Sequence, residues 1–368
     1  MIYIDCNAST PMRPQVSEAV ARALGLIGNP SSVHAPGRAA RRAVDDARDA
    51  VASMVGASPS RVVFASGGTE ANNLALAATG RARIFASAVE HPSVLGARED
   101  IVRIPVDREG IVDLAALDRL LAAESAPALV SLMLANNETG AVQPVARAAE
   151  IAHARGALLH CDAAQAVGRI AVDARTLGAD LLTLSAHKMG GPKGAGALVL
   201  ANDMELAPLL RGGGQESKRR AGTENVAAIA GFGVAASLAA DFAVEAARLG
   251  ALRDGMESQL LAAAPGAAIL GAGTVRLPNT SCIAMAGMDA DVQVMAFDLD
   301  GIAVSAGAAC SSGKVEPSHV LAAMGAPASL ARAAIRVSLG WHNTAADVAA
   351  FTASWFKLHA RVRARAAA

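Results

Sequence analysis

Lysine is scarce in this 368-residue chain, with five lysines against 28 arginines. One of the five, Lys188, follows the apolar run LLTLS (Leu181–Ser185) and precedes Met189-Gly190-Gly191-Pro192. An amine at the end of a buried run, its pKa lowered, attacks carbonyls and forms Schiff bases; the plainer alternative is a surface lysine in a turn. Asp162 closes another such run, and Gln165 lies three residues on. That carboxylate has three candidate uses: a helix N-cap, a metal ligand, or the counter-ion of a pyridinium, which keeps a ring nitrogen protonated and the ring an electron sink. Ser66-Gly67-Gly68-Thr69 precedes a helix-like ANNLALAA and forms a candidate anion cup, with backbone amides aimed at the ligand. No G-K-[ST] follows, so it is not a nucleotide P-loop. His91, before a proline, is either a packing residue or one that stacks on a planar ligand and moves protons. Cys310 stands in SAGAACSSG, too small in its residues to anchor a core, with Lys314 nearby. It reads as a loop thiol, a nucleophile or an exposed bystander. Arg336, inside the apolar IRVS, needs a partner, and a substrate carboxylate is a natural one.

The elements that must hold these groups follow from short apolar runs alternating with alanine-rich stretches. Strands are expected at Arg61–Ala65, Arg83–Ser87, Leu129–Leu134, Ala157–Cys161, Leu181–Ser185 and Ala197–Leu200, with helices such as Val145–Arg155 between several of them. That alternation predicts a mostly parallel sheet covered on both faces, with ligands beyond the carboxyl ends of its strands. From about Ala243 the pattern changes to a helical Glu245–Ala263, strand pieces near Thr280–Met285 and Ala303–Ser305, and a small-residue loop at Ser305–Gly313. This predicts a smaller α+β unit joined by the N-terminal segment. The expected division is residues 15–245 for the large domain and 1–14 with 246–368 for the small one.

Composition narrows the classes. The chain is 53% hydrophobic and 18% charged, with 33 basic and 33 acidic residues, so it can bury a large core and carries no electrostatic footprint for nucleic acid or an anionic membrane. The longest apolar stretch, Val226–Ala240, holds 15 residues and two glycines, short of the ~20 needed to span a bilayer. The four cysteines, Cys6, Cys161, Cys282 and Cys310, are dispersed without C-x-x-C, which argues against a disulfide framework or structural zinc. The start MIYIDCNAST has no basic region ahead of a long apolar core. A cytoplasmic enzyme is the expectation.

Nine motifs in order then resemble the cysteine desulfurases of the nitrogen-fixation and iron–sulfur-assembly type, within the class V aminotransferase-like enzymes of pyridoxal 5'-phosphate (PLP) fold type I. They are GNPSSVH (Gly28–His34), SGGTEANNLA (Ser66–Ala75), EHPSVL (Glu90–Leu95), ANNETGAVQP (Ala135–Pro144), HCDAAQAVG (His160–Gly168), SAHKMGGPKGAGAL (Ser185–Leu198), GGGQESKRRAGTEN (Gly212–Asn225), ACSSGKVEPSHVL (Ala309–Leu321) and IRVSLG (Ile335–Gly340). The resemblance implies that Lys188 tethers PLP and moves the Cα proton. It implies that Asp162 pairs with the ring nitrogen, that Gln165 and Asn137 address the ring hydroxyl side, and that His91 stacks on the ring. Gly68, Thr69, Ser185 and His187 would hold the phosphate, and Thr223 the phosphate of a neighbouring subunit, making a homodimer. Arg336 would bind the carboxylate of L-cysteine, with Asn29 nearby. Cys310 would take the substrate sulfur as a persulfide, releasing L-alanine, and act as a transient iron–sulfur ligand when a scaffold or other sulfur acceptor docks. Two departures stand out: Asp5-Cys6-Asn7-Ala8-Ser9-Thr10 where the family shows D-N-N-A-T-T, and Ala306-Gly307-Ala308-Ala309-Cys310 where it shows S-G-S-A-C. The same-chemistry alternative is a class V aminotransferase or a selenocysteine/cysteine lyase.

Overall fold

The computed structural model describes residues 1–264, 266–307 and 318–367, with side chains described through residue 364. Among the described residues, thirteen strands run in chain order: β1 (Ile2–Tyr3), β2 (Val62–Ala65), β3 (Arg83–Ser87), β4 (Val102–Ile104), β5 (Ala128–Ser131), β6 (Leu158–Asp162), β7 (Leu181–Ser185), β8 (Gly196–Leu200), β9 (Ala267–Leu270), β10 (Thr280–Met285), β11 (Ile302–Ala303), β12 (Ser305–Ala306) and β13 (Ala334–Ser338). Seven of them form one sheet in the order β2-β8-β7-β6-β5-β3-β4. All neighbours pair in parallel except β8, which is antiparallel to both β2 and β7. The reversal is local. Ser185 of β7 faces Gly196 of β8, so the ten residues between them close a hairpin rather than a crossover. Two reversals restore direction at β2, and the carboxyl ends of β2, β3, β5, β6 and β7 all open on one edge.

Both faces of that sheet are buried, as its nearly continuous apolar strands require. Val62, Phe64, Leu182, Leu184, Ala197 and Val199 point to one core, whereas Val63, Ala65, Leu181, Leu198 and Leu200 alternate into the other. The first core is covered by helices Ala35–Met54 and Val226–Ala239, among others. Alanine and glycine let those two approach closely: a Cβ on Gly233 would lie 2.6 Å from the Ala47 Cα. Val226–Ala239 therefore has no polar face, because neighbours surround it. No single helix among the described residues is long and apolar enough to cross a membrane; this one joins Phe242–Ala263 at a bend of 74°.

A second core, built on Phe297, Phe351, Trp355, Ile335 and Val337, supports the antiparallel sheet β12-β13-β10-β9. Here one expectation is refined. The single piece foreseen at Ala303–Ser305 divides at Val304, with Ile302–Ala303 pairing with β1 and Ser305–Ala306 with β13. The segment after β1 straps the two regions together. Cys6 N donates to Ser338 O at 2.9 Å, and Thr10 N to His187 O at 2.9 Å.

Candidate active site

Lys188 sits in the β7–β8 hairpin, on the edge where the strands open. A 3-10 turn, Ala186–Lys188, carries it there. The turn closes because Gly191 packs where a Cβ would stand 2.8 Å from Ala186 O. Its Nζ donates to the carbonyls of Asn7 at 2.6 Å and Ala8 at 3.1 Å. Burial pushes the amine pKa down to about 8; Arg336 and Arg169 push the same way, against Asp162 and Asp5. An amine with that pKa is about a quarter neutral at pH 7.5, against about a thousandth for an ordinary lysine.

Asp162 ends β6 on the same edge and is 7% exposed. Oδ1 accepts from Ala164 N at 2.9 Å and Oδ2 from Asn72 Nδ2 at 2.7 Å. The first bond is the local capping use foreseen for it, made to a turn rather than a helix. The metal-ligand use finds no support, because the described residues contain no group of three His, Cys, Asp or Glu able to hold an ion. Asn72, which the sequence reading passed over, also donates to Ser93 Oγ at 2.8 Å, and Ser93 Oγ lies 2.8 Å from His91 Nδ1. Ser93 N donates to that same Nδ1 at 3.1 Å, so a neutral His91 carries its proton on Nε2. Partial desolvation, then Lys188 and His319, hold the His91 pKa below its ordinary value, against the pull of Asp162.

Gly68 begins the 11-residue helix Gly68–Ala78, with Gly67 as its cap. Ser185 lines the same point, since a Cβ on Gly68 would meet the Ser185 Cβ at 3.4 Å. Thr69 is exposed beside it. His187 Nδ1 is 3.4 Å from Ser9 Oγ, and burial followed by Lys188, Lys193 and Arg169 takes its pKa down to about 4. An amine, a buried carboxylate and a helix N-terminus thus converge from three strand ends.

The family profile described as aminotransferase class-V matches residues 2–351. The chain belongs to that family. Within it, the chain is 46% identical over 362 residues to a cysteine desulfurase of Cereibacter sphaeroides, covering 94% of this chain and 92% of that one. Among solved structures, a NifS-like protein from Rickettsia africae superposes with a TM-score of 0.91 at 36% identity, covering 98% and 99% of the two chains. SspA, solved in complex with cysteine, superposes with a TM-score of 0.80 at 30% identity, covering 92% and 99%.

This class V group is PLP-dependent, and the residues present fit the cofactor. The site offers a lysine poised to react with an aldehyde, a buried acid, and a helix N-terminus beside a serine, and the Asn72 Oδ1 among them is buried with no partner. Gln165 Nε2 donates to Asn7 O at 3.0 Å, and its Oε1 accepts from Arg169. The Asn137 carbonyl accepts from Asn7 Nδ2 at 3.0 Å and from Arg336 Nη1 at 3.1 Å. Arg336, in the middle of β13, is 6% exposed, and from the small sheet its charge acts on the Lys188 amine. Its Nη2 donates to Asp5 Oδ1 at 2.7 Å, whereas its Nε is buried without a partner. An unmet guanidinium N–H costs roughly 1–3 kcal/mol, which a bound carboxylate would recover.

Not every expected family residue meets in this cleft. Asn29 is exposed, its Oδ1 accepting from Ser31 N at 2.8 Å, and it is not a partner of Arg336. Thr223 is exposed as well. Cys310, with its expected nucleophilic and iron–sulfur roles, lies outside the described residues. The residues flanking that stretch both meet Glu138, which sequence reading had seen only as part of a motif. Ser318 Oγ donates to Glu138 Oε2 at 2.5 Å, and a Cβ on Gly307 would lie 2.9 Å from that oxygen. Burial drives the Glu138 pKa up to about 7, despite Ser318 and Arg336.

Proposed function

We propose that this chain works as a PLP-dependent cysteine desulfurase, taking sulfur from L-cysteine onto Cys310 and releasing L-alanine. What supports the reading is a low-pKa Lys188 amine in the field of an Arg336 guanidinium with an open Nε, the two linked by hydrogen bonds through Asn7 and the Asn137 carbonyl. When bound, PLP supplies an electron sink for negative charge at the substrate Cα. The residues do the rest. Asp162 would keep the ring nitrogen protonated, Gln165 and Asn137 address the ring's hydroxyl side, and Gly68, Thr69, Ser185 and His187 receive the phosphate. Arg336 offers Nε and an Nη to the substrate carboxylate, which fixes Cα near the Lys188 Nζ. Lys188 Nζ, with its lowered pKa, would be the base that takes the substrate Cα proton. His91 exchanges protons through Nε2. The Cys310 thiolate attacks the substrate sulfur: an S–S bond forms, the Cβ–S bond breaks, and Cβ takes up a proton. Cysteine and a protein thiol thereby become alanine and a protein persulfide, with Cβ reduced and sulfur oxidised.

The two cores are read as a large domain of residues 15–245 and a small domain of 1–14 with 246–368. An exposed Thr223 suits a role in a partner subunit's phosphate site, which makes the working form a homodimer; Asn29 is assigned to the substrate side in that assembly. The persulfide would pass to an iron–sulfur scaffold or another sulfur acceptor, with Cys310 a transient ligand of the cargo cluster. Free, buried thiols at Cys6, Cys161 and Cys282 suit a reducing cytoplasm. Incubation with L-cysteine and a reductant tests the reading. Equal yields of alanine and sulfide, with sulfide lost in Cys310→Ser while the cofactor absorbance stays, are expected. Pyruvate and ammonia, or undiminished sulfide from Cys310→Ser, would favour a lyase instead.

A further inference from the structure

Arg169 has no part in the chemistry above, yet it is buried beside it at 7% exposure. No carboxylate among the described residues hydrogen-bonds it. Its Nη1 donates to Gln165 O at 3.0 Å and to Gln165 Oε1, and its Nη2 to Lys188 O at 3.2 Å and, more weakly, to Cys6 O at 3.4 Å. The acid on its side, Glu245, is instead bonded to Arg13 at 2.8 Å. One planar fork thus meets acceptors from three chain segments, a geometry that a flexible ammonium with a single head does not reproduce.

We propose that Arg169 is a positioning residue, a brace that locks Gln165, the Lys188 backbone and the strap after β1 into one arrangement. The proposal rests on the reading of Lys188 and Gln165 as cofactor-facing residues. The strap matters to both, because Asn7 O accepts from Gln165 Nε2 at 3.0 Å and from Lys188 Nζ at 2.6 Å. Displacing Cys6 and Asn7 would therefore release the amine and the amide together. A brace made from a cation has a second effect. With no counter-charge bonded to it, its field reaches the amine, and after burial Arg336 and Arg169 are what lower the Lys188 pKa. Asp162 and Asp5 oppose them, and His91 and His187 face the same amine. Cys6, Arg336 and Glu245 are the charged or titratable groups that act on Arg169 itself.

The test uses the holoenzyme and two variants, Arg169→Met and Arg169→Lys. One readout is the pH midpoint of the bound cofactor's absorbance change; the other is amide hydrogen exchange at Cys6, Asn7 and Thr10. Losing the charge in Arg169→Met should raise the midpoint by about one pH unit. Losing the fork should speed exchange about tenfold. Arg169→Lys should restore the midpoint but not the slow exchange. Unchanged midpoint and exchange in Arg169→Met would overturn the proposal. Should Arg169→Met fail to fold, wild-type exchange rates in Arg169→Lys would overturn it. The reading of Lys188 fails differently: a covalently held chromophore would survive in Lys188→Ala.

Discussion

The two walls of the cleft are built on different physics. On the large-sheet wall, Asp162, Gln165 and Lys188 come from strand ends and their following turns, and the Asp162 carboxylate already bonds a side chain and a backbone amide. On the small-sheet wall, Arg336 shares one Nη with Asp5 and leaves Nε open. Next to it, Glu138 is buried and leans on Ser318 and Gly307, the residues that border the stretch carrying Cys310. On the first wall both carboxylate oxygens are held before any ligand arrives, with the Asn72 Oδ1 left open beside them, as suits a group that, in the proposed reading, stays through every turnover. The second keeps donors and protons in reserve, as suits a substrate that must enter and leave. In the proposed reading, preorganisation is thus spent on the cofactor side and exchangeability on the substrate side.

Substitutions can break that contrast. Lys188→Ala should have the largest effect. It should abolish the covalent tether and lower turnover at least about 10³-fold, the scale expected when a nucleophile and proton carrier is lost; stopped-flow absorbance with L-cysteine checks both. Arg336→Met should spare the tether and the absorbance but reduce kcat/KM by about 10²-fold, chiefly through KM, because a charge-assisted bidentate contact is lost. A matching loss of cofactor would erase the distinction between the walls.

Glu138→Gln should act on stability instead. The folded Glu138 has its pKa raised to about 7 from 4.5, so folding holds its proton more tightly than the unfolded chain does. The associated stability is present below pH 4.5 and is lost as pH rises through 7, on the order of 3 kcal/mol. The neutral amide should remove that fall, seen as a smaller loss of stability between pH 5 and pH 8 in urea titrations. Arg336 and Cys282 are the charged or titratable groups that share its field. The buried His160, pushed down to about 4, changes stability with the opposite sign at lower pH, so the comparison is with the unmutated chain.

Much of the large-sheet wall was legible in the sequence. Arg83–Ser87 and Leu181–Ser185 are strands with the expected bounds, and the polar residues just past five runs lie on one edge. Residue type and position beside an apolar run singled out Lys188, Asp162 and Arg336 as candidates, but plainer uses stayed open for Lys188 and Asp162 until the family motifs were read. The reversed direction of β8 was not legible, because alternation carries no direction. β4 and β9 went unseen, being short or half-buried. Asn72, Ser93, Asp5, Glu138 and Arg169 were missed for a common reason. Each acts through a hydrogen bond to a residue distant in sequence, such as Asn72 to Asp162 or Arg336 to Asp5, and no local spacing announces such a bond. Asn72 offered one clue: a polar amide among the alanines and leucines that the helix buries asks for a buried partner.

The most direct test follows the sulfur atom itself. The holoenzyme is given L-cysteine without reductant, quenched, digested, and its peptides weighed. The account predicts that the peptide containing Cys310 gains the mass of one sulfur atom, and that Lys188→Ala gains none. Sulfur on another cysteine, or its release as sulfide with Cys310 never modified, would contradict it.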